Sequence, residues 1–123
     1  MEFDNAAPIW RQLLQEFTRR IATGQWAEGK RVPGVRELAE QLKVNPNTVQ
    51  RAMAELERDG LCKSERTAGR YVSASPAQID QLRIGIAEEA AREYVHKMKG
   101  LRMTSSQAED LVQGIWNKTE RQK

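Results

Sequence analysis

The segment Val32–Val49, VPGVRELAEQLKVNPNTV, decides the fold of this 123-residue chain, because two helical patterns flank a tight turn within it. In the first pattern, apolar residues recur at intervals of three and four, which predicts one buried helix face: Val35, Leu38, Ala39 and Leu42. Asn45 then offers a side-chain oxygen to cap a second helix, and Pro46 suits the first helical position because that position needs no N–H. The segment therefore predicts a helix-turn-helix.

The second helix is predicted to run from Pro46 to about Asp59, with Gly60 ending it. Its apolar stripe is Val49, Ala52, Met53 and Leu56, and the exposed positions of its first turns are Asn47, Thr48, Gln50 and Arg51. Amide, hydroxyl and guanidinium groups can read base edges in a major groove. Two packed helices with a polar turn also occur in proteins that never touch nucleic acid, so this pattern alone leaves both interpretations open.

A β-hairpin is predicted directly after this helix, since two short extended segments flank the turn Arg66–Gly69. A hairpin in this position is the wing of a winged helix. Arg66 and Arg70 are predicted to lie at its tip, where guanidinium groups suit a narrow minor groove or the flanking phosphates. The hairpin favours the DNA-binding interpretation.

From Pro8 to Val72 the chain resembles the GntR family of bacterial transcription regulators. The matching positions are Pro8–Leu13 at the start of the first helix, Gly24 at its end, Pro33 with Arg36–Ala39, Asn45–Val49, Glu55–Glu57, Gly60–Leu61, and Gly69 with Tyr71–Val72. The NPNTV form and the short remainder after the wing look most like the compact YtrA-like branch. The resemblance implies a winged helix that binds double-stranded promoter DNA, followed by a C-terminal dimerisation unit.

Two positions depart from the family pattern. Gly34 replaces the usual serine, and glycine caps a helix slightly less well and reaches phosphate only through its backbone. Thr67 replaces the first of two glycines in the wing turn, which predicts a stiffer or differently shaped tip. The residues predicted to contact DNA are Arg36, Asn45, Asn47, Thr48, Gln50, Arg51, Arg66, Gly69 and Arg70.

Composition further restricts the classes of function open to this chain. The chain is only mildly basic, with a net charge of +3 and a pI of about 9.2, so DNA binding depends on where the arginines lie.

Cys62 is the only cysteine and His96 the only histidine, which excludes a disulfide or a Cys/His metal cluster within one chain. Cys62 is expected to be buried or half-buried and His96 to be solvated. We predict no enzyme, cofactor or metal site, and with no membrane span or signal peptide we expect a cytoplasmic protein.

The N-terminal arm, residues 1–7, is predicted to be flexible, and the first helix is predicted from Pro8 to about Thr23. The buried side of that helix is expected to be Leu13, Leu14, Phe17 and Ile21. Trp10 and Trp26 are expected in the core or between helices, because single-stranded nucleic-acid binders need several aromatic residues on one exposed platform.

Two amphipathic helices are predicted after the wing. The first runs from Pro76 to Gly100 with Ser75 as its cap, and the second starts near Thr104, which with Gln107 suits a capping box. Their apolar stripes are too broad to bury on each other alone, so they fold back on the winged helix or pair with a second chain. Pairing is favoured because the winged helix has its own core. The chain is thus predicted to be mainly α, with a winged helix-turn-helix domain in residues 1–74 and a two-helix dimerisation unit in residues 75–123.

These features favour a homodimeric, sequence-specific transcription regulator, most simply a repressor that binds an inverted-repeat operator. Two alternatives stay open: an accessory or architectural winged-helix DNA-binding protein, and a winged helix used only for protein interaction. Residues 73–123 are too few for a separate effector domain and contain no convergent polar cluster, so the sequence identifies no effector.

Overall fold

The computed structural model describes residues 1–121, which form five helices and a two-stranded antiparallel sheet. The helices are α1 (Ile9–Ala22), α2 (Val35–Leu42), α3 (Pro46–Arg58), α4 (Pro76–Gly100) and α5 (Ser105–Arg121), and the strands are β1 (Cys62–Glu65) and β2 (Gly69–Val72). This mainly helical fold with a hairpin after α3 confirms the predicted fold class. None of the described helices is both long and apolar enough to cross a membrane.

The chain divides into two compact units, and the first, Met1–Ile84, contains an apolar core. The largest fully buried side chains are Leu13, Phe17, Ile21, Leu38, Val49, Met53, Leu56, Cys62 and Val72, which come from α1, α2, α3 and the hairpin. Trp26 stacks on Phe17 with the ring centroids 5.0 Å apart, and the Arg20 guanidinium lies over both rings. Because α3 buries one face in this core, its opposite face is held in a fixed orientation.

Local capping explains where α2 ends and α3 begins. Lys43 ends α2 in the left-handed conformation, with φ of 56°. Asn45 then caps α3, since its Oδ1 accepts the backbone N–H of Asn47 at 2.8 Å, and Pro46 takes the first helical position. The helix-turn-helix predicted from these residues is therefore confirmed, with residues 43–45 as its turn.

Residues 29–32 pair with the hairpin as a third segment, which the sequence did not predict. β1 pairs with β2 in antiparallel register. Along the other edge of β2, the N–H of Val72 donates to the carbonyl of Lys30 at 3.0 Å, and the N–H of Val32 donates to the carbonyl of Arg70 at 2.9 Å. β2 is therefore the middle segment, because residues 29–32 cover its second edge.

The N-terminal arm is attached to α1, which corrects the prediction of a flexible segment. The side chain of Gln12 accepts the N–H of Asp4 at 3.1 Å and donates to the carbonyls of Asp4 and Ala7 at 2.9 and 2.8 Å. Phe3 packs against the core. The side chain of Gln12 in α1 thus binds backbone groups at two residues of the arm.

The first compact unit, Met1–Ile84, includes the first turns of α4. Ile79 and Leu82, on the first turns of α4, pack against the core and so belong to this unit. Ser75 and Gln78 form reciprocal hydrogen bonds of 2.8 and 3.2 Å that start α4, which confirms Ser75 as its cap.

The second unit, which starts at Gly85, is a pair of helical segments joined by a short turn. Thr104 and Gln107 form the predicted capping box through hydrogen bonds of 2.9 and 3.1 Å. The Tyr94 hydroxyl donates to the carbonyl of Ala108 at 2.7 Å and links α4 to α5. Within the described residues, neither helix has a buried side chain.

Candidate nucleic-acid interface

The first two turns of α3 present a polar surface on the side away from the core. Asn47, Gln50 and Arg51 are exposed and Thr48 is half-buried, and we call these four residues the recognition face. Behind them Val49, Ala52 and Met53 are fully buried. The helix thus brings together two amides, a hydroxyl and a guanidinium on one accessible surface, as the sequence predicted for these positions.

Asn45, also predicted to contact DNA, has a structural role in α3. Its Oδ1 is engaged by the N–H of Asn47, which leaves the two N–H groups of the side-chain amide free to donate. The side chain is exposed. Asn45 therefore has a capping role, and donor groups remain for a further contact.

Arg36 lies on the first turn of α2, which packs against α3, and its side chain is exposed. Within residues 1–121, no carboxylate lies within ion-pair distance of its guanidinium. All of its donor groups are therefore available to a partner such as a guanine or a phosphate.

The two wing arginines have different surroundings. Arg66 is exposed in the turn between β1 and β2. Arg70 lies on β2 opposite Ser64, which corrects its predicted position at the tip. The Nε of Arg70 donates to Oε1 of Glu57 at 2.8 Å, and the Ser64 hydroxyl donates to the same oxygen. Arg70 therefore attaches the wing to the C-terminal half of α3.

The contacts of Glu57 favour the ionised form of its carboxylate. Hydrogen bonds from Ser64 and from Arg70, together with the positive charge of Arg70, lower the pKa of Glu57 below its usual value. This carboxylate accepts from both wing strands, since Ser64 is on β1 and Arg70 is on β2.

Gly69 has a conformational role at the wing. Its φ of +77° lies in the left-handed region, which favours glycine. A Cβ at this position would lie 3.1 Å from Nε of Arg31, so the Arg31 side chain lies directly over Gly69. The position of Arg31 over the wing depends on the pairing of residues 29–32 with β2, and so short a segment has no detectable period from which that pairing could be predicted.

The two tryptophans, expected in the core or between helices, differ in burial. Trp26 is buried, which confirms its prediction. Trp10 is only half-buried, and the Arg51 guanidinium lies over its ring with Cζ 4.1 Å from the centroid. Trp10 thus contacts the recognition face, a pairing across about forty residues of sequence that no local pattern indicates.

The remaining reactive side chains lie as predicted. Cys62 is buried on β1, and burial raises the pKa of its thiol to about 11, so the thiolate nucleophile is scarce at neutral pH. His96 is exposed on α4.

Residues 10–72 match the sequence model of the family described as "Bacterial regulatory proteins, gntR family". The chain belongs to the GntR family. It is 33% identical over 119 residues to the HTH-type transcriptional regulator YhcF of Bacillus subtilis, covering 97% of this chain and 96% of that protein. It is 39% identical over 69 residues to the HTH-type transcriptional repressor YtrA of the same organism, covering 56% of this chain and 53% of that protein.

A solved structure supports the same assignment. A GntR family transcriptional regulator from Listeria monocytogenes superposes with a TM-score of 0.82 at 33% identity, covering 91% of this chain and 98% of that chain. The relatives are transcription regulators and not enzymes, in agreement with the sequence analysis. The residues matched by the GntR family model run from α1 to the end of β2 and include every residue predicted to contact DNA.

Proposed function

We propose that this GntR regulator is a homodimeric repressor that binds an inverted-repeat operator, with the first turns of α3 in the major groove. The main support is the recognition face, which is polar and accessible while the opposite side of the same helix is fully buried. A helix fixed in this way holds its amide and guanidinium groups ready for bidentate contacts to adenine and guanine.

Other residues contribute around the recognition face. The unpaired Arg36 contacts a guanine or a neighbouring phosphate, and Arg66 at the wing contacts the minor groove or the flanking backbone. Arg70 supports this surface indirectly, because its ion pair with Glu57 holds the wing against α3.

Dimerisation through α4 and α5 is supported by the apolar side chains that these helices expose. Val95 on α4 is 47% exposed, and Ile115 and Trp116 on α5 are both 64% exposed. Apolar clusters of this kind commonly mark interaction surfaces, and a second copy of the chain would cover them. We therefore assign residues 1–74 to DNA binding and residues 75–123 to dimerisation, although the last two residues of that unit lie outside the described residues.

Repression follows most simply from occlusion of a promoter by the bound dimer in the cytoplasm. The relative YtrA carries the description of a repressor, which favours this direction of control. The similarity to YtrA covers 56% of the present chain and 53% of that protein.

The experiment that tests the proposal is selection of binding sites from a random duplex library, followed by footprinting of the selected sequence. We expect one inverted repeat with a defined protected region. Changing Arg36 to Ala should weaken binding to that repeat by about 1–3 kcal/mol if Arg36 contacts a guanine. Uniform, sequence-tolerant protection would instead favour an architectural protein, and no DNA affinity even at low salt would favour a protein-interaction module.

A further inference from the structure

We infer that Trp10 is a positioning residue for DNA recognition, because it holds the guanidinium of Arg51 over its indole ring. This inference rests on the proposed function, since it concerns the same recognition face. It assigns a role in operator selection to a residue of α1, a helix that otherwise supplies the core.

The contact is close and joins two helices whose relative position is fixed. Cζ of Arg51 lies 4.1 Å from the centroid of the Trp10 ring, well within the range in which a cation is attracted to an aromatic face. Trp10 lies in the first turn of α1, and α1 packs against α3 through the core. The ring is therefore a fixed surface beside a long and otherwise mobile side chain.

The contact with Trp10 orients Arg51 without using its hydrogen-bond donors. The indole side chain is a hydrogen-bond donor only, so the N–H groups of the guanidinium stay free for a phosphate or a guanine. Within residues 1–121, no carboxylate lies within ion-pair distance of Arg51. Arg70 differs, because its Nε is already occupied by Glu57 at 2.8 Å.

The expected effect is a gain in affinity from preorganisation. A free arginine loses side-chain entropy when DNA immobilises it, whereas a stacked arginine has lost part of that entropy already. A cation–π contact at a partly exposed site corresponds to a change of about two- to fivefold in an equilibrium constant. Trp10 should contribute an effect of this size to operator binding, through Arg51.

The test uses the full-length protein and two probes, the duplex that the unmodified protein selects from a random library and a scrambled duplex of equal composition. Trp10→Leu should weaken binding to the selected duplex by about two- to fivefold, and Trp10→Phe should restore most of the affinity because it retains an aromatic face. Thermal melting of each variant checks the fold, and Trp10 is not part of the buried core.

A double-mutant comparison separates positioning from a structural role. The loss caused by Trp10→Leu should vanish in an Arg51→Ala background but persist in an Arg11→Ala background. Arg11 is the matched control because its Cζ lies 5.4 Å from the centroid of the same ring while its backbone is on α1. In a repeated selection, Trp10→Leu should also relax the base preference at the positions that Arg51→Ala relaxes.

Three results would overturn the inference. Trp10→Leu binding as tightly as, or more tightly than, the unmodified protein would mean that the stack does not assist binding. A loss of equal size in the Arg51→Ala background would assign Trp10 a role independent of Arg51. A base preference that Arg51→Ala relaxes and Trp10→Leu leaves unchanged would also contradict it. Failure of the proposed function would be distinguishable from failure of this inference, because the unmodified protein would then select no sequence from the library.

Discussion

Among single residues, the wing arginines illustrate how identical side chains acquire different roles from their neighbours. Arg66 is exposed in the turn, whereas the side chain of Arg70 is 16% exposed and paired with Glu57. A free guanidinium near DNA releases counterions when it binds a phosphate, and a paired one mainly stabilises the fold.

This difference predicts opposite outcomes for two matched substitutions. Arg66→Ala should weaken binding to all DNA sequences evenly and reduce the slope of log affinity against log salt by about 1, with little change in melting temperature. Arg70→Ala should lower the melting temperature, because it leaves Glu57 without its cation. Salt titrations and thermal melts of both variants check this, and equal salt slopes for the two would contradict the assignment.

Glu57 predicts a pH dependence of stability. Its pKa is lower in the folded protein than in the unfolded chain, so the ionised carboxylate stabilises the fold above the unfolded pKa. That contribution is lost as the pH falls through the lowered folded value. Glu57→Gln should cost roughly 0.5–1 kcal/mol at neutral pH and nothing below the folded pKa. Denaturant unfolding across acidic pH measures this, and a difference independent of pH would rule out the ionic contribution.

Among the elements, the geometry of the wing depends on pairing between segments that are distant in sequence. β2 lies between β1 and residues 29–32, and Arg31 lies over Gly69. Gly69 therefore lies between Glu65, its partner on β1, and the side chain of Arg31. Its left-handed conformation forms the turn of the wing.

Replacing Gly69 should consequently destabilise the wing. Gly69→Ala should cost about 1–2 kcal/mol, since an L side chain is strained at φ of +77°. Gly85→Ala is the matched control: Gly85 lies within α4 with no atom within 4 Å of an added Cβ, and alanine there should stabilise by roughly 0.5–1 kcal/mol. Thermal unfolding distinguishes the two, and a neutral Gly69→Ala would show that the turn relaxes.

The helices were predictable from sequence because each carries its own period and cap. α3 is an example, with Asn45 and Pro46 at its start and a buried stripe from Val49 to Leu56. The missed features are pairings between distant residues, such as Trp10 with Arg51 or residues 29–32 with β2. These depend on how packed elements meet in space, which the local spacing of residues does not encode.

In the whole molecule, the unit that starts at Gly85 exposes apolar surface on both of its helices. On α5 the exposed apolar side chains are Leu111, Val112, Ile115 and Trp116. Residues four apart share a helix face, so Leu111 with Ile115 and Val112 with Trp116 form a continuous stripe. The proposed dimer would bury this stripe.

A charge placed on this stripe should therefore dissociate the dimer. Trp116→Glu in the full-length protein should give a monomer at micromolar concentration, because the interface would have to bury an unpaired carboxylate. Gln113→Glu is the matched control, since it adds the same charge at an exposed polar position. Sedimentation of the three proteins is the measurement, and an unmodified protein that is monomeric would refute the dimer.

The geometry of the operator tests the central claim most directly. Two recognition faces related by a two-fold axis require inverted half-sites about one helical turn apart, ~10 bp centre to centre. Inserting about half a helical turn rotates one half-site to the opposite face of the duplex. Affinity for the modified operator, measured by titration, should then fall to that of a single half-site. Binding as tight as to the parent operator would contradict a fixed two-fold arrangement of the two winged helices.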